Sequence, residues 1–404
     1  AQPIVFTSER DDLFGNPADT NGDGAITAPA QNNWTNIHFT ATTNDAASVL
    51  DNCRITYGSN GPFDGFPTSL WITSAAPTIT NSVISKASYG IRIDGDSAPV
   101  IAGCDINNCQ NAPILMSVQS DPAIAVTNAF STNGFSALAL IPETMSQSAT
   151  LKYRPGVGTP TFAYLPTGTI TVATGVTLTI QPQVVIKPSS TTTVFLVNGA
   201  LNVVGSNATT GRVVFTSRRD DNPLYGGDTT PNDASTPQAG DWGAIQFNDT
   251  AVDAGCILRN ILFQFGSSNP SFGVLSAFSA NPTFSRLEFF QNGTAMTFGG
   301  NSTAKVDSVT VLNCTQLPIT QSLVANPSYA HMTLANNQYT ALGLLGETIA
   351  QDVRTPVRAI GTYSNIQYAL EGSITIAFGA KWTIDPGVVL KMGRLFIDPL
   401  GTSV

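Results

Sequence analysis

The sequence predicts an all-β protein, a right-handed parallel β-helix (a solenoid) with two tandem modules, residues 1–205 and 206–404. Three observations lead there: a long internal repeat, a short repeat inside it, and a composition poor in charge. Charged residues make up 11% of the 404 residues, the net charge is −9 and the pI is about 4.6. A typical share is about 25%. Uncharged polar residues must therefore cover the surface, as in extracellular β proteins, and no basic patch exists for a nucleic acid.

The long repeat keeps its order at a nearly constant offset. Three pairs of segments define it: residues 6–12 with 215–221, residues 34–39 with 242–247, and residues 168–187 with 372–391. The offsets are 209, 208 and 204 residues. A drift of only five residues over a whole module indicates small loop insertions between two copies of one structure.

The short repeat sets the length of one solenoid turn. Ala76-Pro77, Ala98-Pro99 and Asp121-Pro122 each open a similar segment, at spacings of 22 and 23 residues. Between them lie short β-branched segments bounded by Gly, Asn and Ser, which are too short to bury a face alone. Stacking successive turns solves this problem. A β-sandwich would need longer strands with hairpin turns, and a propeller would need four strands in each repeat.

The segment 168–205 and the series Arg219-Asp220-Asp221, Gly226-Gly227-Asp228 and Gly240-Asp241-Trp242 resemble bacterial surface proteins of the right-handed parallel β-helix (pectin-lyase-like) superfamily. The resemblance covers most of both modules. It implies the fold and leaves function open, because that superfamily includes lyases, hydrolases, adhesins and passive fibres.

No catalytic constellation is recognisable, so we expect no enzyme, no catalytic residue and no bound organic cofactor. The carboxylate and Gly-His-Gly motifs of the polygalacturonase-like branch are missing, and the chain has only two histidines, His38 and His331. Neither has a histidine counterpart in the other module. A polysaccharide lyase or hydrolase remains an alternative, which would require an unduplicated cluster of carboxylates or Arg in one groove.

Two acidic loops are candidate calcium sites. Asp19, Asn21 and Asp23 alternate in Asp-Thr-Asn-Gly-Asp-Gly, as oxygen donors do in the first half of an EF-hand loop. The bidentate Glu is missing, and Asp11 and Asp12 could supply further oxygens. The corresponding loop in the second module keeps three carboxylates: Asp220, Asp221 and Asp228. The alternative for both loops is a turn that caps its own backbone N–H groups.

The five cysteines form neither a disulfide scaffold nor a metal framework, and we expect Cys104 and Cys109 to be buried. A second functional class, an adhesin that binds glycans, would need exposed aromatic side chains. Trp71, Phe63 and Phe66 are the best candidates, although burial of these rings is the simpler expectation.

The two chain ends read as the two halves of one module junction. Residues 401–404 followed by residues 1–8 reproduce the passage from the first module into the second. We find no polar cap at either end, and solenoids normally cover their terminal strand edges. The leading hypothesis is therefore an extracellular or cell-surface structural protein. It forms a head-to-tail homopolymer or is part of a tandem array, with no membrane-spanning segment.

Overall fold

The computed structural model describes residues 2–156, 161–207, 209–231, 235–392 and 397–399. It confirms the all-β prediction: the chain consists of short parallel strands in right-handed solenoid turns, about 13 in all. Two compact units are present. Unit 1 comprises Ala1–Pro142, Tyr153–Thr167 and Arg218–Thr236, and unit 2 comprises Glu143–Lys152, Gly168–Ser217 and Pro237–Val404. The two sequence modules stay a prediction.

The strands are mostly three residues long. Those of the first 167 residues are β1 (Ile4–Phe6), β2 (Ile37–Phe39), β3 (Val49–Asp51), β4 (Cys53–Thr56), β5 (Thr68–Thr73), β6 (Thr78–Thr80), β7 (Val83–Ser85), β8 (Tyr89–Asp94), β9 (Val100–Ala102), β10 (Asp105–Asn107), β11 (Ile114–Met116), β12 (Ala123–Ile124), β13 (Leu138–Leu140), β14 (Thr144–Met145), β15 (Ala149–Leu151) and β16 (Ala163–Pro166). Those that follow, up to residue 299, are β17 (Ile170–Val172), β18 (Thr177–Ile180), β19 (Val185–Ile186), β20 (Phe195–Val197), β21 (Ala200–Val204), β22 (Val213–Phe215), β23 (Ile245–Phe247), β24 (Ile257–Gln264), β25 (Leu275–Phe278), β26 (Thr283–Phe290) and β27 (Met296–Gly299).

The remaining strands are β28 (Lys305–Asp307), β29 (Thr310–Leu312), β30 (Ile319–Gln321), β31 (Ser328–Ala330), β32 (Thr333–Ala335), β33 (Leu342–Leu344), β34 (Glu347–Ile349), β35 (Val353–Thr355), β36 (Tyr368–Leu370), β37 (Ile374–Ile376), β38 (Trp382–Ile384), β39 (Leu390–Lys391) and β40 (Ile397–Pro399). Helical structure in the described residues is limited to three 3₁₀ segments, Asp45–Ala47, Pro223–Tyr225 and Asp253–Gly255. None of the described helices is long and apolar enough to cross a membrane.

Unit 1 contains three parallel sheets, each pairing a strand with its successor one turn later. Their strand orders are β1-β4-β7-β10, β3-β6-β9-β12 and β2-β5-β8-β11-β13-β16. The third sheet stacks Leu70, Ile91, Ile114 and Leu138 directly above one another, and all four are fully buried. Such aliphatic ladders form the core because no single turn can bury its own side chains.

Unit 2 has a ten-stranded parallel sheet, β14-β17-β20-β23-β25-β27-β30-β33-β36-β39. A second row runs through β19, β22, β24, β26, β29 and β32. Inside it, the rings of Phe215, Phe263 and Phe289 stack on successive turns with centroids 5.1 and 5.0 Å apart. The core of this unit is therefore partly an aromatic ladder, whereas the ladder of Leu70, Ile91, Ile114 and Leu138 in unit 1 is aliphatic.

A single residue in the left-handed conformation turns the chain between two sheets. Asn52 lies between β3 and β4 with φ of 52°, and Asn81 lies between β6 and β7 with φ of 48°. At the equivalent place inside β24, Asn260 has φ of 54°. Asn tolerates this conformation better than other residues with a β-carbon, which explains why the sequence places Asn between two short β-branched segments.

Buried Asn side chains connect neighbouring turns at other corners. The Asn133 amide accepts from the Cys109 N–H at 2.9 Å and donates to the Ile106 carbonyl at 2.9 Å. Asn292 makes the same pair of bonds, with the Gly266 N–H at 2.7 Å and the Phe263 carbonyl at 3.0 Å. Each side chain thus satisfies one donor and one acceptor of the preceding turn, which would otherwise be buried without partners.

Candidate functional site

The first strands of unit 1 have an open side. Within the described part of the chain, β1 pairs with β4, β2 with β5 and β3 with β6, each on one side only. Ile4 on β1 is 61% exposed and Val49 on β3 is 54% exposed. We call the unpaired sides of β1, β2 and β3 the first edge.

The counterparts of β1 and β2 at the repeat offset are paired on both sides. β22 lies between β19 and β24, and β23 lies between β20 and β25. Val213, Phe215, Ile245 and Phe247 on these two strands are fully buried. We call the contact of β19 and β20 with β22 and β23 the internal junction. It lies wholly within unit 2.

Backbone hydrogen bonds show which groups the first edge leaves open. At the internal junction, the Val214 N–H donates to the Val184 carbonyl and the Thr216 N–H donates to the Ile186 carbonyl, both at 3.0 Å. On β1, the Ile4 N–H instead donates toward β4, to the Asn52 carbonyl at 3.1 Å. Alternate residues of a parallel strand direct their N–H groups to opposite sides. The N–H groups of Val5 and Thr7, the counterparts of Val214 and Thr216, are therefore directed to the open side.

Near the other end of the described chain, β39 also has a partner strand on one side only. β39 pairs with β36 through Tyr368 and Leu390, and the Tyr368 N–H donates to the Val389 carbonyl at 2.9 Å. Val389 is 44% exposed, whereas its counterpart at the internal junction, Val185, is 2% exposed. The junction that the sequence predicts between residues 401–404 and Ala1 lies outside the described residues.

The first acidic loop caps its own backbone. The N–H groups of Gly22 and Gly24 donate to the two carboxylate oxygens of Asp19, at 2.8 and 2.9 Å. Asp23 Oδ2 accepts from the Thr27 hydroxyl at 2.6 Å and from the Asn21 amide at 3.0 Å. These bonds are those of the self-capping alternative.

Other oxygens of the same loop are left without such bonds. Oδ1 of Asp12 and Oδ1 of Asp23 are buried and have no hydrogen-bond partner among the described residues. Partial burial, and then the charges of Asp19, Asp23 and Asp11, raise the pKa of Asp12. Asp11 is almost fully buried and accepts from the Thr7 hydroxyl. No group of three or more His, Cys, Asp or Glu side chains in the described chain is arranged to hold a metal ion, so calcium stays a prediction.

The second acidic loop, Arg218–Thr236, belongs to unit 1 and packs against earlier residues of that unit. The Ser136 N–H donates to the Thr229 carbonyl at 3.0 Å, and the Arg218 guanidinium lies 6.0 Å from the centre of the Phe135 ring. Of the predicted metal ligands, Asp220 accepts from the Asn222 N–H at 3.2 Å and Asp228 from the Thr230 N–H at 3.0 Å, while Asp221 is exposed. The described part of this loop therefore covers Phe135 and Ser136.

The predicted aromatic platform is partly used inside the protein. Trp71 lies between His38 and Arg92 on three successive strands of one sheet. The His38 and Trp71 rings stack at 3.9 Å, and the Arg92 guanidinium lies 5.3 Å from the Trp71 ring centre. Both faces of Trp71 are thus covered. Phe66 is half-buried against the Tyr89 cluster, and Phe63 is 89% exposed.

Beside Trp71 the structure shows a cluster of charged residues that the sequence did not predict. Arg92 is 7% exposed; its Nε donates to Asp94 at 2.9 Å, and its Nη1 lies 2.7 Å from an oxygen of Asp64. The Trp71 indole N–H donates to the second oxygen of Asp94 at 2.7 Å. The spacing of one turn between Trp71 and Arg92 was the signal that could have found this cluster. Burial lowers the pKa of the neighbouring His38.

This charged cluster has no counterpart in the second predicted module. The residues that replace His38, Trp71 and Arg92 in the corresponding strand row are Gln246, Ser276 and Thr297. The other histidine, His331, is exposed and forms a 2.7 Å bond with Asp307. The structure thus contains an unduplicated cluster of one Arg and two carboxylates, with both carboxylates already bound to the same guanidinium.

The cysteines are buried and free, as predicted for Cys104 and Cys109. Burial raises the pKa of Cys109 and of Cys314 to about 12. These thiols are therefore protonated and inert at neutral pH, as structural cysteines are.

The family described as "Right handed beta helix region" matches residues 23–152. No curated protein and no solved structure matches the chain significantly. Residues 23–142 of the matched segment belong to unit 1, and they include β2 to β13. This chain is thus a right-handed parallel β-helix, and its fold supports a structural or surface-type β-helix protein.

Proposed function

We propose that this protein is an extracellular structural β-helix that assembles head to tail, with the first edge of one copy extending the last strands of another. One observation carries the proposal: Ile4 on β1 and Val389, directly before β39, are exposed, while their counterparts at the internal junction are buried. Ile4 is 61% exposed against 0% for Val213, and Val389 is 44% exposed against 2% for Val185. The chain thus already contains a buried version of the contact.

The physical basis is strand addition. Parallel strand pairing would supply acceptors for the N–H groups of Val5 and Thr7 and cover apolar side chains on both copies. Fully burying one Val, Leu, Ile or Phe contributes roughly 1.5–3 kcal/mol. Because the two surfaces differ, the contact is heterologous and can repeat without closing, which produces a fibre.

Electron microscopy and sedimentation velocity of the purified chain test this proposal. We expect fibres whose axial repeat equals one stacked subunit. Val389→Lys should abolish them, because a charge would be placed where Val185 is buried in the internal junction. Val252→Lys is the matched control, since Val252 is 47% exposed but lies away from both ends. Isolated short rods at all concentrations would overturn the proposal.

A second candidate function is glycan binding on the flank of unit 1, as in an adhesin. It is favoured by the 89% exposed Phe63 ring beside the unduplicated Arg92, Asp64 and Asp94 cluster. Binding to immobilised glycans should be lost in Phe63→Ala and kept in Leu224→Ala, which alters another protruding apolar side chain (70% exposed) outside this cluster. Release of shorter sugars in the same assay would instead indicate a lyase or hydrolase.

A further inference from the structure

We infer that a cavity beside Tyr339 in unit 2 receives the first acidic loop, residues 9–27, of the next copy. This inference rests on the proposed head-to-tail assembly and adds a second contact to it, a loop in a cavity beside the strand pairing. We call this feature the Tyr339 cavity; it is lined by Tyr339, Thr340, Gln367 and Lys391, among others, and has a volume of about 520 Å³.

The chain shows the same contact once, within unit 1. Arg218–Thr236 is the counterpart of residues 9–27 at an offset of 209 residues. It packs on Phe135, Ser136 and Ala163, through the bond from Ser136 to Thr229 and the close approach of Gly226 to Ala163. A β-carbon on Gly226 would come within 3.0 Å of the Ala163 side chain.

The residues that receive that loop have counterparts around the Tyr339 cavity. At an offset of 204 residues, Phe135, Ser136 and Ala163 correspond to Tyr339, Thr340 and Gln367. Tyr339 is 52% exposed, while Phe135 is half-buried. The Ser136 N–H donates to Thr229, whereas the Thr340 N–H has no acceptor among the residues that the structure describes. The cavity is therefore the same surface without its loop.

The loop itself shows the complementary difference. Thr229 and Thr230 are 0% and 5% exposed in the covering loop. Thr20 and Asn21, at the same places in the first acidic loop, are exposed. In the assembled state we expect the Thr340 N–H of one copy to donate to the Thr20 carbonyl of the next.

The change in burial at one lysine supports the assignment. The loop carries Glu9, Asp11, Asp12, Asp19 and Asp23 against a single Arg10. The lining of the cavity carries Glu371 and Lys391, which are both exposed, whereas the counterpart of Lys391, Lys187, is fully buried. An acidic loop that covers Lys391 would bury it as Lys187 is buried. A carboxylate of the loop would then offset the cost of removing the ammonium group from water.

Disulfide trapping between two single variants tests the contact. We would mix Thr20→Cys and Thr340→Cys proteins under mild oxidation, since residues paired by a backbone hydrogen bond lie within the reach of a disulfide. The five native cysteines are buried and do not compete. We expect a cross-linked dimer from this pair only. The control pair combines Thr20→Cys with Thr250→Cys, an exposed position outside the cavity.

A second pair of variants changes the cavity without introducing a thiol. Gln367→Trp fills the cavity and should raise the concentration needed for assembly at least tenfold. Gln367→Ala reproduces Ala163 and should leave assembly unchanged or stronger. The loop contact would be overturned if the two cysteine variants assembled into fibres without forming the disulfide, or if Gln367→Trp assembled at the same concentration as the unmodified protein. Either result would leave the assembly proposal standing. Absence of any fibre in the unmodified protein would overturn both.

Discussion

The internal junction and the first edge are built from the same sequence pattern but have different surroundings. Phe215 at the junction is fully buried in an aromatic stack, and its counterpart Phe6 on β1 is half-buried. Trp242 and Trp34 both donate their indole N–H to a carbonyl of the next turn, at 2.7 and 2.8 Å, yet only Trp242 is fully buried. The local structure is therefore inherited with the sequence, whereas burial depends on whether another turn is stacked on top.

The largest expected effect is a loss of stability on removing a core ring, which should differ between the internal junction and the first edge. Phe247→Ala should lower the free energy of unfolding by about 3–5 kcal/mol, because a fully buried ring leaves a cavity. Phe39→Ala, its counterpart on β2, should cost clearly less because that ring is only half-buried. Urea denaturation of both variants measures the difference. Equal losses would mean that the first edge is already covered in solution.

Proline tests the strand edges directly. Val214→Pro removes the N–H that donates to Val184 inside a paired strand, and the Val184 carbonyl left without its donor should cost about 1–3 kcal/mol. Val5→Pro changes the same position on the open side, which tolerates proline, so the isolated chain should keep its stability and lose assembly. Sedimentation and thermal denaturation report the two effects separately. A stability loss in Val5→Pro equal to that in Val214→Pro would contradict the open edge.

Removal of a buried Asn side chain at a corner between turns should have the next largest effect on stability. Asn292→Ala leaves the Gly266 N–H and the Phe263 carbonyl without partners and should cost about 1–3 kcal/mol for each unsatisfied group. Asn337→Ala affects the Cys314 N–H and the Val311 carbonyl nearer to the surface, where water can replace the amide, so its cost should be smaller. Chemical denaturation that ranks them the other way would disprove the role of burial.

The smallest expected effect concerns calcium. If the first acidic loop binds Ca²⁺, the midpoint of thermal unfolding should rise on adding calcium and fall again on adding a chelator. The pKa of Asp12 is raised in the folded protein, so its ionisation as the pH rises lowers the stability of the folded state. Asp12→Asn removes this charge and should therefore raise the unfolding midpoint in the absence of calcium. That variant should also lose the calcium response. No response in the unmodified protein would leave self-capping as the account of the loop.

The sequence predicted the fold because its determinants are local and periodic. A repeat of 22–23 residues with Asn, Gly and Pro at the corners requires stacked turns, and the ladders of Leu70, Ile91 and Ile114 follow from that register. The burial of Cys104 and Cys109 followed in the same way. Self-capping by Asp19 was one of two alternatives that the loop sequence left open.

The tertiary structure alone decided how distant residues meet. Trp71 was expected as an exposed platform or a core ring, but it became a rung between His38 and Arg92 because the register of three strands aligns them. The loop Arg218–Thr236 is a candidate calcium loop from its sequence, and the structure adds that it covers Ser136 and Ala163, which lie 93 and 63 residues before Thr229 and Gly226. Sequence periodicity specifies which residues point inward, because that depends on neighbours along the chain. Which surface a long loop covers depends on contacts between residues far apart, and these exist only once the turns are stacked.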